Sequence, residues 1–264
     1  MVTRESWHRR LERARDLSAD AASGSLVAFY GALLGAQRDM YDRLGARPDW
    51  RPSGDLHVDL PQLHPHLTGV LAAVANAAPE ALATEARSLL GEGSARLDQQ
   101  LLVFWRAPSD RQFFAKAIVQ PYAQWLADTG VVPVGRDLPR VGGRCPFCGG
   151  TPQLSMFRGP GDGALEGAGR SLQCSTCLTA WPFRRVLCAH CGEDDERRLG
   201  YFQSPAFEHV RVEACETCKR YLKGIDLTRL GTAVPLVDEV ASAPLDAWAD
   251  EHGYTKIELN LVGL

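Results

Sequence analysis

The eight cysteines constrain this chain more than any other feature. All lie between positions 145 and 218, and all fall in CxxC pairs: Cys145-Pro-Phe-Cys148, Cys174-Ser-Thr-Cys177, Cys188-Ala-His-Cys191 and Cys215-Glu-Thr-Cys218. Two residues between thiols let a tight turn aim both sulfurs at one point. A tetrahedral metal needs four thiolates, hence two such turns per ion. Four pairs therefore make two M(Cys)4 sites, with Cys145, Cys148, Cys174, Cys177, Cys188, Cys191, Cys215 and Cys218 as the ligand candidates.

The gaps between successive pairs are 25, 10 and 23 residues. The two similar long gaps favour sequential pairing, first with second and third with fourth. Each long gap then forms the hairpin of a rubredoxin-like ribbon, and the short gap joins the two modules. A nested pairing, first with fourth and second with third, is the alternative. It accompanies CxxCxGxG repeats, and here no glycine follows Cys177 or Cys218. Gly149 and Gly192 do follow the second cysteine of the first and third pairs, where such a turn needs a positive φ. A thioredoxin-type redox pair would open a helix in a βαβ unit, and none of the four has that setting. Polynuclear iron–sulfur spacings usually include closer triplets, which are absent. Zinc and mononuclear iron both fit an S4 tetrahedron, so both stay open at this point.

The remaining composition excludes several classes. The chain has 264 residues and a formal net charge of −3. From Arg140 to Ile225 there are 12 Lys/Arg against 9 Asp/Glu. With eight thiolates the balance becomes −1 for two Zn²⁺ or +1 for two Fe³⁺. Neither makes a polyanion-binding stripe, so no nucleic-acid partner is expected. Arg184-Arg185 and Lys219-Arg220 read as solvated ribbon surface. A zinc-ribbon transcription-associated protein is therefore the weaker alternative, and a rubredoxin-type electron carrier is another. The first ten residues have no apolar core, so they are not read as a signal peptide. The longest apolar run, Leu67 to Ala83, is broken by Asn76, Pro79 and Glu80, so no membrane insertion is expected. A cytoplasmic location follows, where clustered thiols mean metal far more often than disulfides.

The fold class expected is α+β: a helical N-terminal domain, two tandem rubredoxin-like or zinc-ribbon modules, and a C-terminal helix. Residues 1–130 read as helical. Leu26, Phe29, Tyr30, Leu33, Leu34, Tyr41 and Leu44 recur at offsets of three and four. Arg47 to Pro65, rich in Pro and His, reads as a loop. Helical spacing returns near Leu67, pauses at Gly91-Glu-Gly93 and resumes through Trp105. Ser109 and Gln112 have the spacing of a capping box for the next segment, which Pro121 should kink or split. Residues 131–144 read as a linker, 145–186 as the first CxxC/CxxC module and 187–225 as the second. Residues 226–264 read as a helix over Val237 to Gly253 and a short strand at Ile257, Leu259 and Leu261.

Other side chains are weaker candidates. His190 lies inside a CxxC turn that already supplies two sulfurs, and His209 reads as a strand residue. His57, His64 and His66 read as a solvated loop rather than a third metal site. Trp181, Phe183, Tyr201 and Phe202 read as small-core aromatics, and Asp194-Asp195-Glu196 as an acidic loop. No nucleophile, phosphate-loop or dinucleotide motif is present. No catalytic constellation appears, and the chain is not expected to be an enzyme.

The four cysteine pairs carry specific flanks: Gly149-Gly-Thr-Pro152 after the first, Leu178-Thr-Ala-Trp181 after the second, Gly192 after the third and Lys219-Arg-Tyr221-Leu-Lys223 after the fourth. The tail has Val237-Asp-Glu-Val-Ala241, Leu245-Asp246 and Gly253-Tyr254. This pattern resembles the formate dehydrogenase accessory protein FdhE family. The resemblance covers nearly the whole chain, and it is specific in the cysteine half. It implies a cytoplasmic maturation factor that binds the catalytic subunit of respiratory formate dehydrogenase. It also implies a ligand role for all eight cysteines and two metal ions per chain, rubredoxin-type iron ahead of zinc. The family tail often reads Asp-Asp-Leu-Ala, and Asp238-Glu239-Val240-Ala241 departs from it conservatively.

Overall fold

Apolar spacing accounts for six N-terminal helices in the computed structural model, which describes residues 4–19, 23–47, 49–109, 112–136, 142–159 and 169–264. They are α1 (Arg4–Leu17), α2 (Gly24–Gly45), α3 (Leu56–Ala77), α4 (Glu80–Gly91), α5 (Ala95–Arg106) and α6 (Phe113–Thr129). The described residues fall into two compact units, this helical one and a sheet-bearing one that runs from residue 142 to Leu264.

In the helical unit, α6 is buried on all sides from Phe114 to Leu126. Pro121 does not split it. Proline removes the N–H that would bond the carbonyl four residues back. That carbonyl belongs to Ala117, and it accepts instead from Gln37 Nε2 of α2 at 2.8 Å. The tertiary bond replaces the lost helical one. The helix starts at Phe113 with Gln112 as N-cap and no side-chain cap bond, so the Ser109/Gln112 box does not form. Gly130 closes it in the left-handed region with φ 74°.

The expected loop over Arg47 to Pro65 is also corrected, because α3 begins at Leu56. Asp55 caps it, accepting from the His57 N–H at 2.9 Å. Pro61 and Pro65 lie four apart on the exposed side, where water can reach the carbonyls they leave free. Leu56, Leu60, Leu63 and Leu67 are buried. The prolines masked this period in the sequence. Of the expected linker 131–144, residues 137–141 lie outside the described residues.

Gln37 is fully buried, so Gln37→Met should orphan the Ala117 carbonyl while nearly keeping the volume. We expect a loss of about 1–3 kcal/mol in urea unfolding, the desolvation cost of an unpaired buried group. A loss near zero would show that Pro121 is accommodated otherwise.

The second unit is built on β1 (Pro152–Phe157), β2 (Arg170–Cys174), β3 (Ala180–Pro182), β4 (Leu199–Gln203), β5 (Val210–Cys215), β6 (Arg220–Asp226) and β7 (Thr255–Lys256). Two further helices, α7 (Pro235–Ala241) and α8 (Ala243–Glu251), divide the helical stretch at Ser242. The sheet order is β3-β2-β1-β6-β5-β4, with β7 also paired to β6. Each module is an antiparallel meander, β1-β2-β3 and β4-β5-β6. A parallel pairing of β1 with β6, Leu154 opposite Lys223 through Phe157 opposite Asp226, fuses them into one sheet. The same edge of β6 takes β7 at Arg220 and Tyr221.

The expected strand at Ile257, Leu259 and Leu261 does not form, and β7 ends before it at Lys256. Asn260 folds the chain instead, its Oδ1 accepting from the N–H groups of Val262 and Leu264, both at 3.0 Å. The apolar face of α8 (Leu245, Ala249) joins Val210, Val212, Tyr221 and Ile225 in one core, with Phe202 and Trp248 against it.

A buried ionic cluster ties these elements together. Glu239 of α7 and Asp246 of α8 face Lys223 of β6 and Lys256 of β7. Both lysines and Glu239 are essentially inaccessible to solvent. Lys223 Nζ lies 3.4 Å from Glu239 and in closer contact with Asp246, and Lys256 Nζ lies 3.0 Å from Asp246 and in closer contact with Glu239. Asn260 Nδ2 and Tyr221 OH complete it, donating to Glu239 and Asp246 at 2.8 Å each. Burial works against the Asp246 carboxylate, but the two lysines overcome it and hold its pKa below the ordinary range. Removing one partner of such a cluster strands a buried charge. Glu239→Ala should therefore cost about 3–5 kcal/mol, read as a lower urea midpoint of the sheet unit. A midpoint at the wild-type value would show that the lysines find other partners.

Candidate metal centres

Three of the four CxxC turns are closed by the same backbone bond. The carbonyl of Cys145 accepts from the Gly149 N–H at 2.9 Å, that of Cys188 from Gly192 at 3.1 Å, and that of Cys215 from Lys219 at 2.9 Å. The residue after the second cysteine has a positive φ in all four: Gly149 (75°), Leu178 (59°), Gly192 (79°) and Lys219 (56°). The two glycines carry the expected conformation. Leu178 and Lys219 adopt it without being glycine, at a cost of about 1–2 kcal/mol each. The composition hid them, but their place in the motif matches that of the glycines. Middle-residue amides point at the sulfurs, Thr176 N–H to Cys174 Sγ at 3.3 Å and His190 N–H to Cys188 Sγ at 3.4 Å.

The structure gathers the cysteines sequentially. In the quartet Cys145, Cys148, Cys174 and Cys177 all sulfurs lie within 4.8 Å of one another, as they do in Cys188, Cys191, Cys215 and Cys218. The nested scheme is thereby set aside. Sγ–Sγ separations are 3.7 Å for Cys145–Cys177 and 3.4 Å for Cys148–Cys174. They are 3.8 Å for Cys188–Cys218 and 3.7 Å for Cys191–Cys215. A regular tetrahedron with metal–sulfur bonds of about 2.3 Å has edges of about 3.8 Å. A disulfide needs about 2.05 Å. The sulfurs are thus spaced for a central ion. Burial pushes the Cys174, Cys188 and Cys218 thiols up, a cost that a cation among the sulfurs would offset.

Two glycines allow close approach at these centres. A Cβ on Gly150 would stand 2.9 Å from Cys174 Sγ and 3.3 Å from Cys148 Sγ. One on Gly143 would stand 2.0 Å from the Ala189 carbonyl, inside the third CxxC turn. The C-terminal segment reaches both centres. Thr151 Oγ1 donates to Glu258 at 2.6 Å, beside the first quartet. Tyr254 OH donates to Glu216, between the cysteines of the fourth turn.

The other sequence candidates are not drawn into a metal group among the described residues. His57, His64 and His66 lie on α3, and His64 instead pairs with Asp98 at 2.8 Å. His66 is held below the usual histidine range by burial and by Arg43 and Arg47. His209 precedes β5 and bonds the buried Asp238 at 2.8 Å. Tyr201 is 47% exposed rather than a core residue, and Arg211 stacks over its ring. Asp195 caps the 3₁₀ turn Glu196–Arg198. The buried Glu239, Asp246, Lys223 and Lys256 cluster was missed; the signal was acidic residues inside an otherwise apolar tail.

The fold and centres define a class: an α+β protein with a helical N-terminal unit and two four-cysteine modules sharing one sheet. Comparison with known proteins narrows this. The family described as "FdhE, C-terminal domain" matches residues 186–262. An FdhE homolog of Aquifex aeolicus is 41% identical over 152 residues, 58% of this chain and 52% of that protein. One from Pseudomonas aeruginosa is 36% identical over 156 residues, 57% of this chain and 48% of that protein. The chain thus spans about half the length of these two relatives. The FdhE protein of Escherichia coli O1:K1 / APEC is 26% identical over 283 residues, 96% of this chain and 86% of that protein. The crystal structure of the FdhE protein from Pseudomonas aeruginosa shares the fold, with a TM-score of 0.70 at 24% identity, covering 98% of this chain and 96% of that one. Residues 186–262 are thus similar to the FdhE C-terminal domain, and the chain shares the fold of the Pseudomonas aeruginosa FdhE protein. No helix among the described residues is long and apolar enough to cross a membrane.

A Cβ on Gly192 meets nothing within 4 Å, so Gly192→Ala carries only the backbone cost of a left-handed alanine, about 1–2 kcal/mol, and should leave the metal content unchanged. Gly150→Ala should instead push the first quartet apart. Metal analysis of that variant should fall by one equivalent per chain. Full retention would show that the Gly150 contact can relax.

Proposed function

We propose that this chain is a cytoplasmic accessory factor that binds the catalytic subunit of formate dehydrogenase and supports its maturation, without catalysis of its own. Each quartet holds one metal ion through its four thiolates. The observation that carries the reading is the pair of closed four-sulfur centres in a family fold. Four protein ligands leave no open position for a substrate, unlike a hydrolytic zinc site. Such centres fix backbone or carry one electron. We assign iron on the family resemblance, and zinc has the same tetrahedral fit. The fused sheet presents turns whose backbone the ions would hold rigid, a surface suited to a folded client.

The test combines metal content with binding. Pure protein should carry close to two equivalents of iron plus zinc, with the ferric-thiolate colour if iron fills the sites. A tagged chain should recover a formate dehydrogenase catalytic subunit, and Cys188→Ser/Cys191→Ser should recover less of it. Equal recovery would remove the second module from the contact. No recovery by the wild type with a folded client present would refute the accessory reading.

A further inference from the structure

The two quartets share a turn design but not an environment. In the first, all four cysteines are buried. Gly150 packs directly on two of its sulfurs. Cys177 Sγ lies 3.2 Å from Thr179 Oγ1, and Leu178 is buried in a cluster with Leu154, Met156 and Leu236. In the second, Cys191 is exposed and Cys218 is half-buried. The neighbouring strand β4 is one of the two edge strands of the sheet, and none of its residues is fully buried. A cavity of about 20 Å³, the size of one water, abuts Cys188 and Cys215 and is lined also by Arg185 and Tyr201.

From this difference we infer that the second centre exchanges its ion with small ligands in solution through Cys191, while the first keeps its ion as long as the sheet stays folded. The inference rests on the metal reading of the quartets proposed above. Release from a four-thiolate centre begins when one thiolate lets go. The bond from Cys191 Sγ to a bound ion would break, the sulfur would take a proton from the incoming thiol or from water, and the ligand's thiolate or carboxylate would take the vacated place, with any hydroxide left going to solvent. No electron moves. The ligand class is a small thiol or an aminocarboxylate chelator, able to approach an exposed sulfur edge. The same ligand meets no exposed sulfur in the first quartet. There the β1–β2 hairpin must open first, a sub-global event with its own free-energy cost.

The test uses the full chain loaded with zinc and mixed with excess 4-(2-pyridylazo)resorcinol, which reports free zinc by colour. We expect two phases of one equivalent each, the slow one at least about tenfold slower because it waits on opening of the sheet. Cys191→Ser should lose the fast phase and keep the slow one at its wild-type rate. Independently, graded N-ethylmaleimide labelling mapped by mass spectrometry should modify Cys191 and its quartet before any cysteine of the first. Release of both equivalents in a single phase overturns the inference, as does first labelling at Cys145, Cys148, Cys174 or Cys177. Wild-type protein that cannot be loaded beyond one equivalent refutes the two-centre reading beneath it instead, so the two failures are told apart before chelator is added.

Discussion

Four cysteine sulfurs lie within 4.8 Å of one another in each of two groups in the second unit, and as thiolates they would repel one another. The turns keep the sulfurs close through backbone bonds and positive-φ residues whose conformation costs energy at Leu178 and Lys219. A cation at the centre of each group would turn that repulsion into four attractive contacts. The hairpins between the turns are short, and an ion at each base would close a loop that their apolar residues alone would close weakly.

The two modules are the same design used twice. In each, the first strand pairs with the strand that ends in the second CxxC turn, Pro152 opposite Cys174 and Leu199 opposite Cys215. They differ in what their third strand does. The third strand of the first module, β3, has three residues and forms one end of the sheet. Its counterpart β6 has seven, is mostly buried, and takes β5 on one side and β1 and β7 on the other. The longer strand makes the second module the base on which the first is mounted. It also leaves the outer face of the second module, at β4, next to solvent.

Much of this was legible from residue types and spacing. The cysteine gaps of 25, 10 and 23 implied sequential quartets, and the structure assembles those quartets. The glycines after Cys148 and Cys191 implied left-handed turn residues, and both are left-handed. The failures share a cause, which is that local signals were overruled by contacts distant in sequence. Pro121 reads as a break until Gln37, 84 positions earlier, supplies the missing bond. Pro61 and Pro65 read as a loop until their common exposed side is seen. Ile257, Leu259 and Leu261 alternate like a strand, but the Asn260 side chain captures two backbone amides and turns the chain. Lys223, four residues after the solvated Lys219, is buried because Glu239 and Asp246 arrive from helices that follow it.

The tail explains why the ionic cluster and the thiolate centres belong to one device. Lys256 anchors β7 into the buried charges, and the residues on either side of it touch the two metal modules, Tyr254 at Glu216 and Glu258 at Thr151. Arg220, two residues after Cys218, donates to the Lys256 carbonyl at 3.1 Å. The ions would fix the turns and the charges fix the tail, so each quartet is braced against the same short segment. An ionic anchor suits that position better than an apolar one. Its lysines and carboxylates must meet in one arrangement, whereas alkyl side chains can slide along a sheet face and pack in several registers. The charge pairing and the β7–β6 ladder meet at one residue, Lys256, which stands opposite Tyr221.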